Sequence, residues 1–158
     1  MEKTVDIKDQ AGTEELAARL AAVAQVGDVI LMHGTLGMGK SAFCRAYIRA
    51  LAQNPHEEVP SPTFTLVQIY DLVPVPVWHF DLYRLSDPEE VHELDIEDAF
   101  SEAVSLIEWP DRLDYLTPEA HLDIYIEPGS NADARQIRLV ASGESWQQRI
   151  AGLNGNVA

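Results

Sequence analysis

The stretch "ILMHGTLGMGKSAFCRAYI", Ile30 to Ile48, joins an apolar run, a glycine-rich loop and a helical pattern in that order. It reads as strand, loop, helix. Gly34, Thr35, Leu36, Gly37, Met38, Gly39, Lys40 and Ser41 satisfy G-x-x-x-x-G-K-[ST] at every fixed position. The glycines let the backbone curl so that successive N–H groups, continuing into Ala42, point at phosphate oxygens. At this spacing Lys40 reaches the β- and γ-phosphates, and the Ser41 hydroxyl is placed to ligate Mg²⁺. The helix that follows aims its positive end at the same anion.

A phosphate loop needs acidic partners, and two segments offer them. In "VWHFDLYRL", Val77 to Leu85, a period-two strand puts His79, Asp81 and Tyr83 on one face and Phe80 and Leu82 on the other. In "SLIEWP", Ser105 to Pro110, Glu108 stands where an apolar strand ends. Ligands of open α/β sheets lie off the carboxyl ends of strands, which favours Glu108 for the γ-phosphate region. Either carboxylate can ligate Mg²⁺ or orient an attacking water; the bland alternative is a solvated strand-end acid. "VPSPTFTLV", Val59 to Val67, adds hydroxyls stiffened by Pro60 and Pro62. Thr63 or Thr65 can approach the metal or the γ-phosphate as in a switch segment. An ordinary strand entry punctuated by prolines reads equally well.

Charge limits the partners. The 158 residues carry 11 Lys plus Arg against 26 Asp plus Glu, a net of −15. Nucleic-acid binders need a positive face to displace phosphate counterions, and the basic residues here are scattered. Direct binding to RNA or DNA is disfavoured. Cys44 is the only cysteine, so no internal disulfide forms and a reducing cytoplasm fits best. The N-terminal "MEKTVDIKDQ" lacks the basic start and apolar centre of a secretion signal. The length suits one domain, with residues 154–158 a frayed tail.

The rest of the chain fills in a small mixed α/β sheet. "TEELAARLAAVAQ" predicts a helix from Thr13 to Gln25 with Thr13 as N-cap. "FTLVQIYDL" and "VWHFDLYRL" predict two strands joined through "VPVP". "DPEEVHELDIEDAF" predicts a helix capped by Asp87, with Pro88 in its first turn. "HLDIYIEP" and "RQIRLVA" alternate as half-exposed strands around the turn "GSNADA", and a helix from about Glu144 to Leu153 follows.

Other chemistries drop out. The five histidines lack paired metal-ligand spacing, and His33 reads as the end of a core strand. Cys44 reads as a small buried hydrophobe. No G-x-S-x-G elbow is present. No N-K-x-D follows the loop, and the only D-x-x-G, Asp9 to Gly12, precedes it. Guanine is disfavoured, so adenine is the better guess.

Taken together and in order, "GTLGMGKS", "SPTFTLV", "HFDLYRLSDPEE" and "LIEWP" resemble the TsaE (YjeE) family. These are P-loop ATPases required for threonylcarbamoyl modification of the adenosine at tRNA position 37. The similarity spans roughly Thr13 to Arg138. It implies a P-loop NTPase-like mixed sheet with a parallel core, antiparallel additions and flanking helices. It implies ATP and Mg²⁺ as cofactors, TsaD and TsaB as partner proteins, and contact with tRNA only through that complex. Residue by residue, Lys40 and Ser41 match the phosphate and metal grip. Asp81 and Glu108 match the acids assigned to metal binding and hydrolysis, and Trp109 matches the aromatic beside them. Thr13 and Arg135 match positions near the nucleoside. Thr35, Met38 and Ser41 stand where Asp, Ala and Thr are commoner, and Ala17 and Asp95 where Gly is usual. Met38 is the departure expected to crowd the entrance. A small-molecule kinase and a non-hydrolysing nucleotide sensor are the competing readings; the kinase lacks an arginine-rich lid.

Overall fold

The computed structural model describes residues 1–35 and 37–153. Leu36 and the expected frayed tail at 154–158 lie outside the described residues. Seven strands form one sheet: β1 (Glu2–Ile7), β2 (Val29–His33), β3 (Val67–Tyr70), β4 (Val77–Asp81), β5 (Val104–Glu108), β6 (His121–Pro128) and β7 (Arg135–Ser142). Their spatial order is β1-β7-β6-β2-β5-β4-β3. The run β6-β2-β5-β4 is parallel, while β7, β1 and β3 attach antiparallel. This is the mixed sheet with parallel core and antiparallel additions that the family resemblance implies.

The helices α1 (Gln10–Ala21), α2 (Lys40–Ala52), α3 (Ile96–Glu102) and α4 (Glu144–Ala151) cover it. The central strand β2 is apolar on both faces because both are covered. Ile30 and Met32 pack with Leu16, Phe43, Tyr47 and Ile150, from the helices on one side. Val29 and Leu31 pack with Phe80, Ile96 and Leu113 on the other. Phe43, Tyr47 and Ile48 are fully buried, each contributing about 1.5–3 kcal/mol of burial. That anchors α2 so that its first turn has a fixed position above the strand ends. At the far end of the sheet α4 is tied down by Arg149, whose guanidinium donates two 2.8 Å hydrogen bonds to the Asp28 carboxylate. Arg149 also donates to the Val23 carbonyl and lies over Trp146.

Four details differ from the sequence expectations. Strand β1 was not predicted: in "EKTVDI" only Val5 and Ile7 are buried, too short an alternation to register alone. Helix α1 starts before Thr13, because the Asp9 carboxylate accepts from the Gly12 N–H at 3.1 Å and caps it. Thr13 is therefore a buried residue inside the helix, not its cap. Strand β4 stops at Asp81, whose Oδ1 accepts from the Tyr83 N–H at 3.0 Å. That local turn takes Tyr83 off the face it was expected to share with His79 and Asp81. Finally, "DPEEVHELDIEDAF" is not one helix. A 3₁₀ segment at Pro88–Leu94, capped by Asp87 as expected, is broken from α3 by Asp95 in the left-handed region (φ 57°).

Candidate nucleotide site

The phosphate loop is shaped by backbone chemistry. Gly34, Gly37 and Gly39 have φ of 145°, 83° and 105°, values that L side chains rarely adopt. At Gly34 space is short as well, since a Cβ there would stand 2.8 Å from the Ile126 carbonyl oxygen of β6. Helix α2 begins right after the loop with no side-chain cap on its first amides. Those donors are left for an anion. The other helix entering this region, α1, has its cap in Asp9.

Three elements bring side chains to that helix end. Parallel pairing of β4 with β5 sets Asp81 opposite Glu108, so both acids arrive at the same sheet edge. Both are nearly buried, Asp81 at 6% and Glu108 at 3% exposed. The Ser41 hydroxyl donates to Glu108 Oε1 at 3.2 Å, and Thr63 donates to Asp81 Oδ2 at 3.3 Å. Thr63 in turn shares a 2.8 Å hydrogen bond with Ser61. Thr65, the other switch candidate, accepts instead from Gln68. Lys40 is 5% exposed, and its ammonium lies 3.8 Å from the centre of the Trp109 ring. Burial lowers the Lys40 pKa from its ordinary value, while Glu108, Asp81 and Asp111 pull it back up.

Lys40, Ser41, Thr63, Asp81, Glu108 and Trp109 line one cleft of about 310 Å³, floored by Gly37, Gly39 and Ala42. A second cleft of about 350 Å³ shares Gly39 and Ala42 with it. Thr13, Met38 and Arg135 line this second space, together with Asp9. Arg135 is committed to backbone, donating to the Met38 carbonyl at 3.2 Å and to those of Ala132 and Ala134. Thr35 takes part through its carbonyl, which accepts from the Met38 N–H. The candidate residues thus divide into a lysine-bearing compartment with Asp81 and Glu108 and an arginine-bearing neighbour with Asp9 and Asp133. Met38 borders the second compartment, not the first.

Two residues of this region escaped the sequence reading. Asp9 belongs in sequence to a misordered D-x-x-G, yet it caps α1 at the wall of the second cleft. His79, placed with Asp81 by strand alternation but given no role, holds Glu108 at 2.7 Å. The alternation that singled out Asp81 was the signal for it. Cys44 is fully buried as expected, and burial pushes its thiol pKa well up.

Residues 7–137 match the sequence profile of the family described as "Threonylcarbamoyl adenosine biosynthesis protein TsaE". The chain belongs to the TsaE family. A TsaE protein of Haemophilus influenzae is 38% identical over 127 residues, covering 80% of this chain and 78% of that one. A Rickettsia bellii TsaE is 36% identical over 115 residues (73% and 79%), and the Bacillus subtilis TsaE 32% over 143 residues (90% and 87%). All three carry the name tRNA threonylcarbamoyladenosine biosynthesis protein TsaE. In three dimensions the chain superposes on the crystal structure of Bacillus subtilis YdiB with a TM-score of 0.76 at 26% identity, over 96% of this chain and 93% of that one. Of the two positions expected from the resemblance to carry glycine, Ala17 lies inside α1 and Asp95 adopts glycine-like backbone (φ 57°).

Proposed function

We propose that this TsaE-family chain binds ATP with Mg²⁺, hydrolyses it, and thereby supports threonylcarbamoyladenosine formation at tRNA position 37, acting in the cytoplasm with TsaD and TsaB. The observation that carries the reading is the convergence of Lys40, Ser41, Asp81 and Glu108 on the uncapped start of α2. The residues present fit both groups. Oxygen donors from Ser41, Asp81 and Glu108 suit a hard cation, and free amides beside a lysine suit a polyphosphate.

In this reading Ser41 and Asp81 would hold Mg²⁺, which would supply charge neutralisation on the phosphates, and Glu108 is left for the water. Lys40 leaves the Trp109 face and meets the β- and γ-phosphate oxygens. The Glu108 carboxylate orients the attacking water and accepts its proton as the new P–O bond forms and ADP departs. The Thr63–Asp81 hydrogen bond links "SPTFT" to the same acid, so ordering of that segment changes what Asp81 can hold. The second cleft, between Thr13 and Arg135, takes the nucleoside. Among the described residues no helix is long and apolar enough to cross a membrane.

The acidic balance of the chain supports leaving tRNA to the partners. Hydrolysis is then slow for the chain alone, and docking raises it, either by an arginine supplied in trans or by ordering "SPTFT". Phosphate release is measured for the chain alone, with tRNA, and with TsaD plus TsaB. Stimulation by the two proteins is the expected result. Stimulation by tRNA alone, with none from the proteins, overturns the docking model.

A further inference from the structure

We propose that His79 is the positioning residue that aims the Glu108 carboxylate, a role that rests on the ATPase reading above. The register of the parallel strands places it. His79 pairs with Leu106 in β5, two residues before Glu108, and alternation puts His79, Asp81, Leu106 and Glu108 on the same face. The histidine therefore lies one step deeper than the carboxylate, under the first turns of α2. Its Nε2 is 2.7 Å from Glu108 Oε2, and the two residues are 1% and 3% exposed. Ser41 lies on the other side, 3.2 Å from Oε1 and 3.5 Å from Oε2. One oxygen is thus committed to the interior, and the other is presented to the phosphate compartment.

The hydrogen-bond partners fix the form of the ring. Nδ1 is buried and has no hydrogen-bond partner among the described residues; a ring nitrogen of His79 lies within 4.8 Å of the Cys44 sulfur, a weak partner at best. A ring with a proton on Nε2 donates to the carboxylate. The opposite tautomer faces lone pair against carboxylate and buries an unpaired N–H. Packing alone does not explain such a residue, since an apolar side chain would fill the same wall with no orphaned nitrogen. Holding Glu108 does explain it. Without the Nε2–H, Oε2 keeps only the long Ser41 contact, and the carboxylate is free to turn toward Ser41 and Lys40.

Such supporting contacts characteristically change activity by about 10–100-fold when removed. The test compares His79→Leu, which keeps bulk and loses the donor, with His79→Gln, whose amide nitrogen replaces Nε2. In His79→Leu, kcat for phosphate release falls about 10–100-fold, while ADP affinity and Tm hold. His79→Gln restores most of the loss. Imidazole ¹⁵N spectra of the nucleotide-free wild type show Nε2 protonated. A folded His79→Leu protein with wild-type kcat overturns the proposal, as does a loss that follows Tm or ADP affinity, or one that glutamine does not rescue. An Nδ1–H tautomer overturns it whatever the activity. A wild type that releases no phosphate, alone or with TsaD and TsaB, overturns the ATPase reading instead, and the ring's tautomer still decides the contact.

Discussion

The Lys40 ammonium rests on the Trp109 indole, 3.8 Å from the ring centre, and Trp109 itself has left-handed backbone (φ 58°). Tyr83 packs on the same indole at 4.8 Å between ring centres. The lysine is therefore parked on an aromatic face and must leave it to meet phosphate.

Trp109 should report that departure. ADP with Mg²⁺ should change the emission of a protein in which Trp78 and Trp146 are replaced by Phe, and Lys40→Ala should remove most of the change. Lys40→Ala should also lower kcat for phosphate release by about 10²–10³-fold, the scale of losing one preorganised charge-stabilising donor. Its circular dichroism should stay native. Full activity in the folded variant would sink the assignment of the loop.

Glu108→Gln separates hydrolysis from binding. The amide keeps the size of the side chain but cannot accept a proton, so kcat should fall by about 10²–10⁴-fold. ADP affinity, read by calorimetry, should change far less, because the loop amides and Lys40 remain. Equal losses in binding and turnover would make Glu108 a structural element of the cleft.

Arg149→Ala addresses stability away from the site. The Asp28–Arg149 pair is bidentate at 2.8 Å, with side chains only 5% and 11% exposed. Removing the arginine leaves the buried carboxylate with only the Gln25 N–H as partner, which costs about 3 kcal/mol, the low end for a broken buried pair. Urea unfolding should show that loss with nucleotide affinity retained. A midpoint unchanged from wild type would mean the pair contributes nothing net.

Asp95→Gly should stabilise. Asp95 is exposed, makes no side-chain cap bond, and sits at φ 57° between two helical segments. Relief of the left-handed backbone outweighs the extra freedom of glycine in the unfolded chain, leaving a gain of about 0.5–1 kcal/mol. Thermal melts check it; a lower Tm would show that the aspartate carboxylate contributes something the geometry does not reveal.

The parts legible in the sequence were those whose signal is local. The loop spacing, the apolar strand before it and the alternation of β6 and β7 each announce themselves within ten residues or so. Strand β1 does not, because its partner β7 lies far along the chain and supplies the ladder that makes "EKTVDI" a strand. The start of α1 was misplaced for a different reason. Asp9 and Thr13 are both good caps, and only the carboxylate contact with the Gly12 amide distinguishes them. At the site, alternation singles out Asp81 and strand-end placement Glu108, each as a candidate acid; their pairing comes from the register of β4 against β5. The contact between His79 and Glu108 needed the register of β4 against β5, which no stretch of sequence contains. The break at Asp95 was hidden because aspartate also suits a helix's first turn, and only the tertiary path forces it into a glycine-like conformation.

The tight approach of Gly34 to Ile126 makes the phosphate loop mechanically lopsided. Its upstream end is jammed against the β6 backbone, with no room even for a methyl group, whereas at Gly37 and Gly39 an added Cβ would meet nothing within 4 Å. The two kinds of glycine therefore exclude side chains for different reasons: at Gly34 the β6 backbone itself stands in the way, whereas at Gly37 and Gly39 only the positive φ does.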